Sequence, residues 1–348
     1  MVTVSSNAIL VSGGAGYIGS HAVHVLRRCG FAPIVLDSLV NGHVWATQAA
    51  AEFRQGDIAD SGLVRALVRE FKPVAALHFA AFIEVGESVA DPPKYFENNR
   101  DKAKIFFDAL AAEGVTKIVF SSTAAVYGAG EGLLTESHAT APVNPYGQSK
   151  LEAETYLRAM PGVTAMALRY FNVAGAAPEV GLGEAHFPES HVIPRIVLPL
   201  IGAPEKLCHA LGLGGGFKIY GGDYATSDGS AVRDYVHVLD LAEAHVAALR
   251  YLLAGGKSDV INLGSATGYS VKNIVAAARE VLGRPDFNPP VTARRPGDPA
   301  LLVAGADKAE KILGWKPRRG IAQMIESAAQ WHRGETYVRT ILAKAGGN

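Results

Sequence analysis

A short apolar run at 8–11 (AILV) leads into SGGAGYIGS and then into HAVHVLRRCG, whose apolar positions return at helical spacing before Gly30. The pattern predicts strand, glycine turn, helix. FAPIVLD (31–37) reads as a second buried strand ending in a carboxylate, and LVRALVREFKP as an amphipathic helix stopped by Pro73. Farther on come a strand in AALHFAA (75–81), a helix over 94–113, a strand in KIVFSST (117–123), a helix over 146–160 and a strand in VTAMALRYFN (163–172). Strands that are almost continuously apolar and alternate with helices are buried on both faces, so the first half is expected to be a doubly wound α/β parallel sheet.

After about residue 175 the texture changes. GLGEAHFPES and LGLGGGFKIYGGDYATSDGS are rich in glycine and loop formers, and helical patterns return only at 238–254, 270–283, 306–314 and 320–332. The expected division is 1–175 for the main sheet and 176–348 for a second, smaller α+β domain. A segment near 236–264, through VINLG (260–264), is expected to return to the main sheet.

With 348 residues and 49% hydrophobic side chains the chain can bury a large core. Lys plus Arg and Asp plus Glu both number 33, so bulk charge makes no case for nucleic acid or an anionic membrane. An anionic ligand would need a local site. Cys29 and Cys208 lie in no disulfide or Cys/His metal spacing, so no metal is expected, and a reducing, cytoplasmic setting is. The longest apolar stretch, 192–201, is short and contains Pro194 and Pro199, and the N-terminus lacks the layout of a signal peptide.

Candidate chemistry begins at Gly13, Gly16 and Gly19, set directly after a strand and at a helix start, where backbone N–H groups and the helix dipole favour a pyrophosphate. An ordinary tight turn would use the same residues. Asp37 closes the next strand eighteen residues beyond Gly19, where a carboxylate can accept both ribose hydroxyls of adenosine and repel a 2′-phosphate, favouring NAD over NADP. Asp57 and Ile58 follow the third strand and suit the adenine edge. Tyr146 and Lys150 in PYGQSK are four residues apart and share one helix face. A phenol near ~10 becomes a base at neutral pH only beside positive charge, which Lys150 and an oxidised nicotinamide can supply. Ser121, Ser122 and Thr123 end a strand, at the edge of a parallel sheet where ligands bind. Tyr–Lys pairs on solvated helices and strand-end hydroxyl caps are the plain alternatives.

GGAGYIGSH, HFAA…VGESV, SSTAAVYG, PYGQSK, RYFNVAGA and VRDYVHVLD together resemble the extended short-chain dehydrogenase/reductase superfamily, and within it the UDP-glucose 4-epimerases, from about residue 8 to about 335. The resemblance implies a Rossmann-type domain holding NAD and a smaller domain holding a UDP-sugar. Beside the three glycines and Asp37, it places Tyr17, Ile18, Asn41, Asp57, Ile58 and Phe79 on NAD. Ala80, Ala81, Asn99, Ser121 and Phe171 join them, with Tyr146 and Lys150. It makes Thr123, Tyr146 and Lys150 the catalytic set. With Thr123, it puts Asn172, His191, Val192, Tyr220, Arg233, Arg295, Asp298 and Leu302 on the UDP-sugar. It also implies a homodimer through helices near 94–113 and 146–160, for which Ile105, Phe106, Ala109 and Leu110 are compatible.

Three departures from the family pattern stand out. Ile83 and Glu84 stand where the best-known bacterial members carry a cofactor-touching lysine segment. His191 stands where an asparagine often meets the nucleotide. Leu302 stands where a tyrosine accompanies restriction to glucose and galactose and a small residue accompanies N-acetyl sugars, so UDP-N-acetylglucosamine and UDP-pentoses stay open as substrates. Sugar-nucleotide dehydratases and decarboxylases of similar sequence carry acids beside the catalytic threonine, whereas Ala124 and Ala125 follow Thr123 here. Oxidation and reduction at one carbon, hence epimerisation at C4, is the expected reaction. A dinucleotide sensor without chemistry is the other class, though such a protein has no need of both Tyr146 and Lys150.

Overall fold

The computed structural model describes residues 7–128, 132–295 and 298–346. Seven strands form its main sheet: β1 (Ala8–Ser12), β2 (Ala32–Asp37), β3 (Glu52–Gln55), β4 (Ala75–His78), β5 (Lys117–Thr123), β6 (Thr164–Tyr170) and β7 (Asp259–Leu263). Their spatial order is β7-β6-β5-β4-β1-β2-β3. Every pairing is parallel. The order reverses between β1 and β4, which opens a crevice at the carboxyl ends of those two strands.

Successive side chains of a strand point to opposite faces, and the two cores follow that alternation. Ile9 and Val11 face a layer containing α1 (Tyr17–Arg28), whereas Ala8 and Leu10 face one containing α2 (Ser61–Phe71). The second layer is completed by α3 (Lys102–Ala112) and α4 (Pro145–Ala159). Phe106, Phe107 and Phe120 are fully buried there. Truncating any one of these rings to alanine would cost about 3–5 kcal/mol.

The helix expected over 94–113 is interrupted. A short turn at Pro92–Tyr95 runs into a π-helical segment, Phe96–Asp101, before α3 begins. Phe106, Ala109 and Leu110 pack into the chain's own sheet layer, so of the four residues considered for a dimer contact only Ile105, 41% exposed, faces outward. Another difference is α5 (Val192–Leu200), a helix despite its two prolines: Pro194 sits in the first turn, where a missing N–H costs nothing, and Pro199 near the end.

The remaining long helices are α6 (Val238–Leu253), which packs beside α1 on the first face, α7 (Val271–Val281), α8 (Ile321–His332) and α9 (Glu335–Gly346). A smaller four-stranded sheet joins Tyr269–Ser270, Val232–Arg233, Leu301–Ala304 and Gly132–Leu134. Gly132–Leu134 pairs in parallel with 302–304, so a segment from between β5 and β6 crosses to the second half of the chain. Among the described residues no helix is long and apolar enough to cross a membrane.

Candidate active site

Gly13, Asp37, Asp57, Phe79, Thr123 and Phe171 all lie at or just beyond the carboxyl ends of main-sheet strands. At the switch crevice, the Phe79 N–H donates to the Ser12 carbonyl at 2.8 Å. A Cβ on Gly13 (φ +72°) would sit 2.4 Å from the Ala80 nitrogen, and one on Gly19 would sit 2.1 Å from the Gly13 oxygen. These two glycines are therefore required by the chain's own packing. Gly16 differs, because the nearest atom to its imagined Cβ is 3.4 Å away and it caps α1 without any side-chain hydrogen bond. The first N–H groups of α1 are left for a ligand, as a pyrophosphate needs.

Asp37 is buried, and burial raises its pKa against the hydrogen bonds that hold its charge. Its Oδ2 accepts from the Ala15 N–H at 2.9 Å and its Oδ1 from the Leu39 N–H at 2.8 Å. The carboxylate is thus fixed at the lip of β2, with exposed Asn41 on the loop that follows. Asp57 accepts from the Ala59 N–H at 2.9 Å and pairs with Lys102 at 2.6 Å, beside buried Ile58. The Tyr17 hydroxyl donates to the Gly175 carbonyl at 2.6 Å, tying α1 to the chain beyond β6. Ile18 packs against the first core layer. Asn99 is more constrained than sequence implied: its amide accepts from the Phe82 N–H at 2.8 Å and donates to the Phe82 carbonyl at 2.9 Å. It clamps the loop containing Ala80 and Ala81.

Of the three residues expected to be catalytic, Thr123 and Tyr146 lie side by side. Asn144 caps α4 by accepting from the Gly147 N–H at 2.8 Å, and Gly147 lets the helix start approach the Ala125 carbonyl. That approach sets half-buried Tyr146 beside Thr123, close enough for the threonine hydroxyl to act on the phenol. Burial raises the phenol pKa, the Thr123 hydroxyl opposes the rise, and the Glu84 carboxylate adds to it. Lys150 is 2% exposed, and its ammonium lies 4.5 Å from the Phe120 ring centre. Burial pushes it down to about 7, with Glu154 opposing.

Thr123 lowers the phenol pKa, and the Lys150 ammonium sits over the Phe120 ring. An acid also acts on Tyr146 although none follows Thr123, since Glu84 arrives from the loop after β4, far away in sequence. Beneath the trio lies a buried network that sequence reasoning missed. Ser122 donates to Glu154 at 2.6 Å, and Glu154 pairs with Arg169 at 2.6 Å, all three nearly solvent-free. Its signal was a glutamate one helical turn beyond Lys150. Ser121 is bonded to the Tyr170 hydroxyl.

On the opposite wall a cavity of about 120 Å³ is lined by Asn172, His191, Val192 and Tyr235, among others. A larger hollow of about 330 Å³, near Arg69, Lys72 and Glu113, lies at the amino ends of the strands, away from the chemistry. Asn172 donates its side-chain amide to the Asp234 carbonyl at 3.0 Å. Arg233 is ion-paired with Asp298. Asp298 also donates its N–H to the Arg295 carbonyl at 3.3 Å, and the Arg295 guanidinium stacks 4.1 Å over the Tyr220 ring. Arg233, Asp298, Arg295 and Tyr220 therefore form one rim. Leu302 and Phe171 pack on the same small cluster, around Val126, Tyr127 and Leu134.

A family model, the NAD dependent epimerase/dehydratase family, matches residues 9–264. The chain is 45% identical over 333 residues to a UDP-glucose 4-epimerase of Rhizobium meliloti (strain 1021), covering 94% of this chain and 98% of that one. It is also similar to the crystal structure of UDP-glucose 4-epimerase from Brucella ovis in complex with NAD (TM-score 0.85, 39% identity, 93% and 97% coverage). The enzyme from Bifidobacterium longum in complex with NAD+ and UDP matches at TM-score 0.83 and 36% identity, with 95% and 99% coverage. With the model spanning most of the chain and relatives matching nearly end to end, this protein is a member of the NAD dependent epimerase/dehydratase family.

Proposed function

We propose that the chain is a UDP-glucose 4-epimerase, reversibly inverting C4 of UDP-glucose and UDP-galactose. The observation that carries the reading is the meeting of Tyr146 and Thr123 at the end of β5, above buried Lys150 and without a carboxylate at Ala124 or Ala125. Its membership of an NAD-dependent family whose relatives carry this name supports it.

The cradle fits the dinucleotide. The uncapped start of α1 at Gly16–Gly19 would receive the pyrophosphate, Asp37 the adenosine ribose, and Asp57 with Ile58 the adenine edge. Phe79, Ala80 and Ala81 would flank it across the crevice, and Ser121 and Phe171 would wall the nicotinamide end. NAD, when bound, supplies the redox chemistry that side chains lack, taking hydride from C4 and returning it, so that no net oxidation remains.

The chain's own residues handle the proton. Tyr146 takes it from the C4 hydroxyl as the 4-keto sugar forms and gives it back at the inverted centre. Thr123 shares its hydrogen bond between the phenol and the substrate oxygen. Lys150, balanced near neutrality by burial, provides positive charge that favours the phenolate. Asn172, His191 and Val192 line the side where the nucleotide sits, and the rim of Arg233, Arg295, Asp298 and Tyr220 closes over the diphosphate and uridine ribose. Holding the sugar through UDP leaves the hexose free to present its other face.

The two parts of the chain divide accordingly, 1–175 with the returning segment near 236–264 holding NAD, and the rest of 176–348 mainly the UDP-sugar. A homodimer through the outward side of the helices at 102–112 and 145–159, where Ile105 is exposed, completes the proposal. The test is a side-by-side assay on UDP-glucose, UDP-N-acetylglucosamine and a UDP-pentose, with Tyr146→Phe as control. The reading requires C4 interconversion of UDP-glucose that the phenylalanine variant nearly abolishes; no interconversion with NAD supplied overturns it.

A further inference from the structure

Outside the trio, one loop gathers four ligand-type side chains. Glu184, His186, Glu189 and His191 each bring a carboxylate oxygen or ring nitrogen to within 4.8 Å of the others. The His186 and His191 Nδ1 atoms are only 3.2 Å apart. Both point at the same oxygen, Glu184 Oε1, His186 from 2.8 Å and His191 from closer still. Glu189 Oε1 lies 3.7 Å from His191 Nδ1, and its partner oxygen, Oε2, is buried without any hydrogen bond. The side chains of Glu184 and Glu189 are 4% and 0% exposed.

Protein groups alone satisfy this arrangement poorly. Two carboxylates are taken out of water side by side, and among the described residues neither forms an ion pair with a lysine or arginine. The nearby Arg195 guanidinium is spent on the Glu189 backbone carbonyl at 3.0 Å. A buried carboxylate oxygen with no partner is costly, and two Nδ1–H groups aimed at one acceptor crowd each other. A dication placed among lone pairs of all four removes both faults. A tetrahedron with metal bonds of about 2.0–2.1 Å has edges of about 3.3 Å, close to the observed nitrogen separation.

We propose that Glu184, His186, Glu189 and His191 bind one divalent cation of the zinc class through two imidazole nitrogens and two carboxylate oxygens. Imidazole with carboxylate suits zinc and its neighbours in the transition series, and a closed four-ligand set is that of a structural site. The cation staples the loop preceding α5. His191 would ligate through Nδ1, leaving Nε2 as an N–H donor on a residue lining the 120 Å³ cavity. The sequence signal is E-x-H-x-x-E-x-H over 184–191, which an inspection confined to cysteine spacings passes over. This inference is independent of the reaction the protein catalyses.

Untagged protein, stripped with a chelator and dialysed, is titrated with ZnCl2 and separately with CoCl2, and metal content is read by mass spectrometry. The expected result is close to one cation per chain, visible d–d bands from bound Co2+, and a higher Tm on re-addition of Zn2+. Glu189→Gln and His186→Ala should each weaken binding at least ten-fold. Parent protein that takes up neither metal stoichiometrically overturns the proposal. So does uptake by both folded variants equal to the parent's. If a variant fails to fold, the Co2+ spectrum of the parent decides, because tetrahedral N/O ligation gives more intense bands than aqueous Co2+.

Discussion

Gly147 lies so close to Ala125 that a Cβ on the glycine would stand 2.6 Å from the alanine's carbonyl oxygen. That contact joins the start of the helix at 145–159 to the turn after Thr123, and so fixes where the Tyr146 phenol meets the threonine hydroxyl.

Gly147→Ala is therefore expected to push the helix start away from the turn. Because the obstacle is backbone, the helix must yield, and a displacement near 1 Å at a reacting group can cost about 10²-fold in rate. Steady-state assay should show kcat falling by that order while far-UV circular dichroism stays unchanged. Wild-type kcat would show that the close approach does not position the phenol.

Glu84 raises the Tyr146 pKa through its negative charge. Glu84→Gln removes that charge, so the phenol should ionise at lower pH. The limb of the pH–rate profile governed by Tyr146 should shift toward acid, and an unchanged or alkaline-shifted limb would contradict the placement.

Lys150 titrates at about 7 in the folded chain and at about 10.4 when unfolded. Between those values the unfolded state binds more protons, so this lysine makes stability rise with pH across that window. Below about pH 7 the full cost of burying its charge is felt. Lys150→Met should thus be stabilising in urea denaturation near pH 7, by an amount that shrinks steadily toward pH 9, while activity collapses. A stability difference independent of pH would mean that the ammonium is not held against its burial.

The chemistry of this site was more legible in the sequence than its supports. Strand–glycine–helix order, Asp37 at a strand end and the four-residue spacing of Tyr146 and Lys150 are local patterns; the first two lie at the carboxyl edge of the sheet and the third on the helix beside Thr123. Long-range relationships were hidden. Glu84 reaches Tyr146 from 62 positions upstream, and Gly132–Leu134 crosses to pair with 302–304. Periodicity could not reveal the π-helical turn at Phe96–Asp101, where hydrogen bonding rather than apolar spacing changes. Nor could it tell that Phe106, Ala109 and Leu110 face their own sheet, because an apolar stripe fits either partner. Asn99 matches a cofactor position, and its amide also holds Phe82 through both backbone groups.

Leu302 packs on the cluster that also supports Phe171, and leucine leaves room that a larger ring would take. Leu302→Tyr should reduce kcat/KM for UDP-N-acetylglucosamine by more than ten-fold relative to UDP-glucose. Equal losses on both substrates would show that this position does not gauge the 2-substituent.

The most direct test of C4 inversion by internal oxidation and return is to follow UDP-galactose in D2O by proton NMR, with no NAD added beyond what the protein carries. Conversion to UDP-glucose with hydrogen retained at C4 and no lasting keto product is the expected result. Deuterium at C4, an accumulating 4-keto sugar, or no conversion even after NAD is supplied would contradict it.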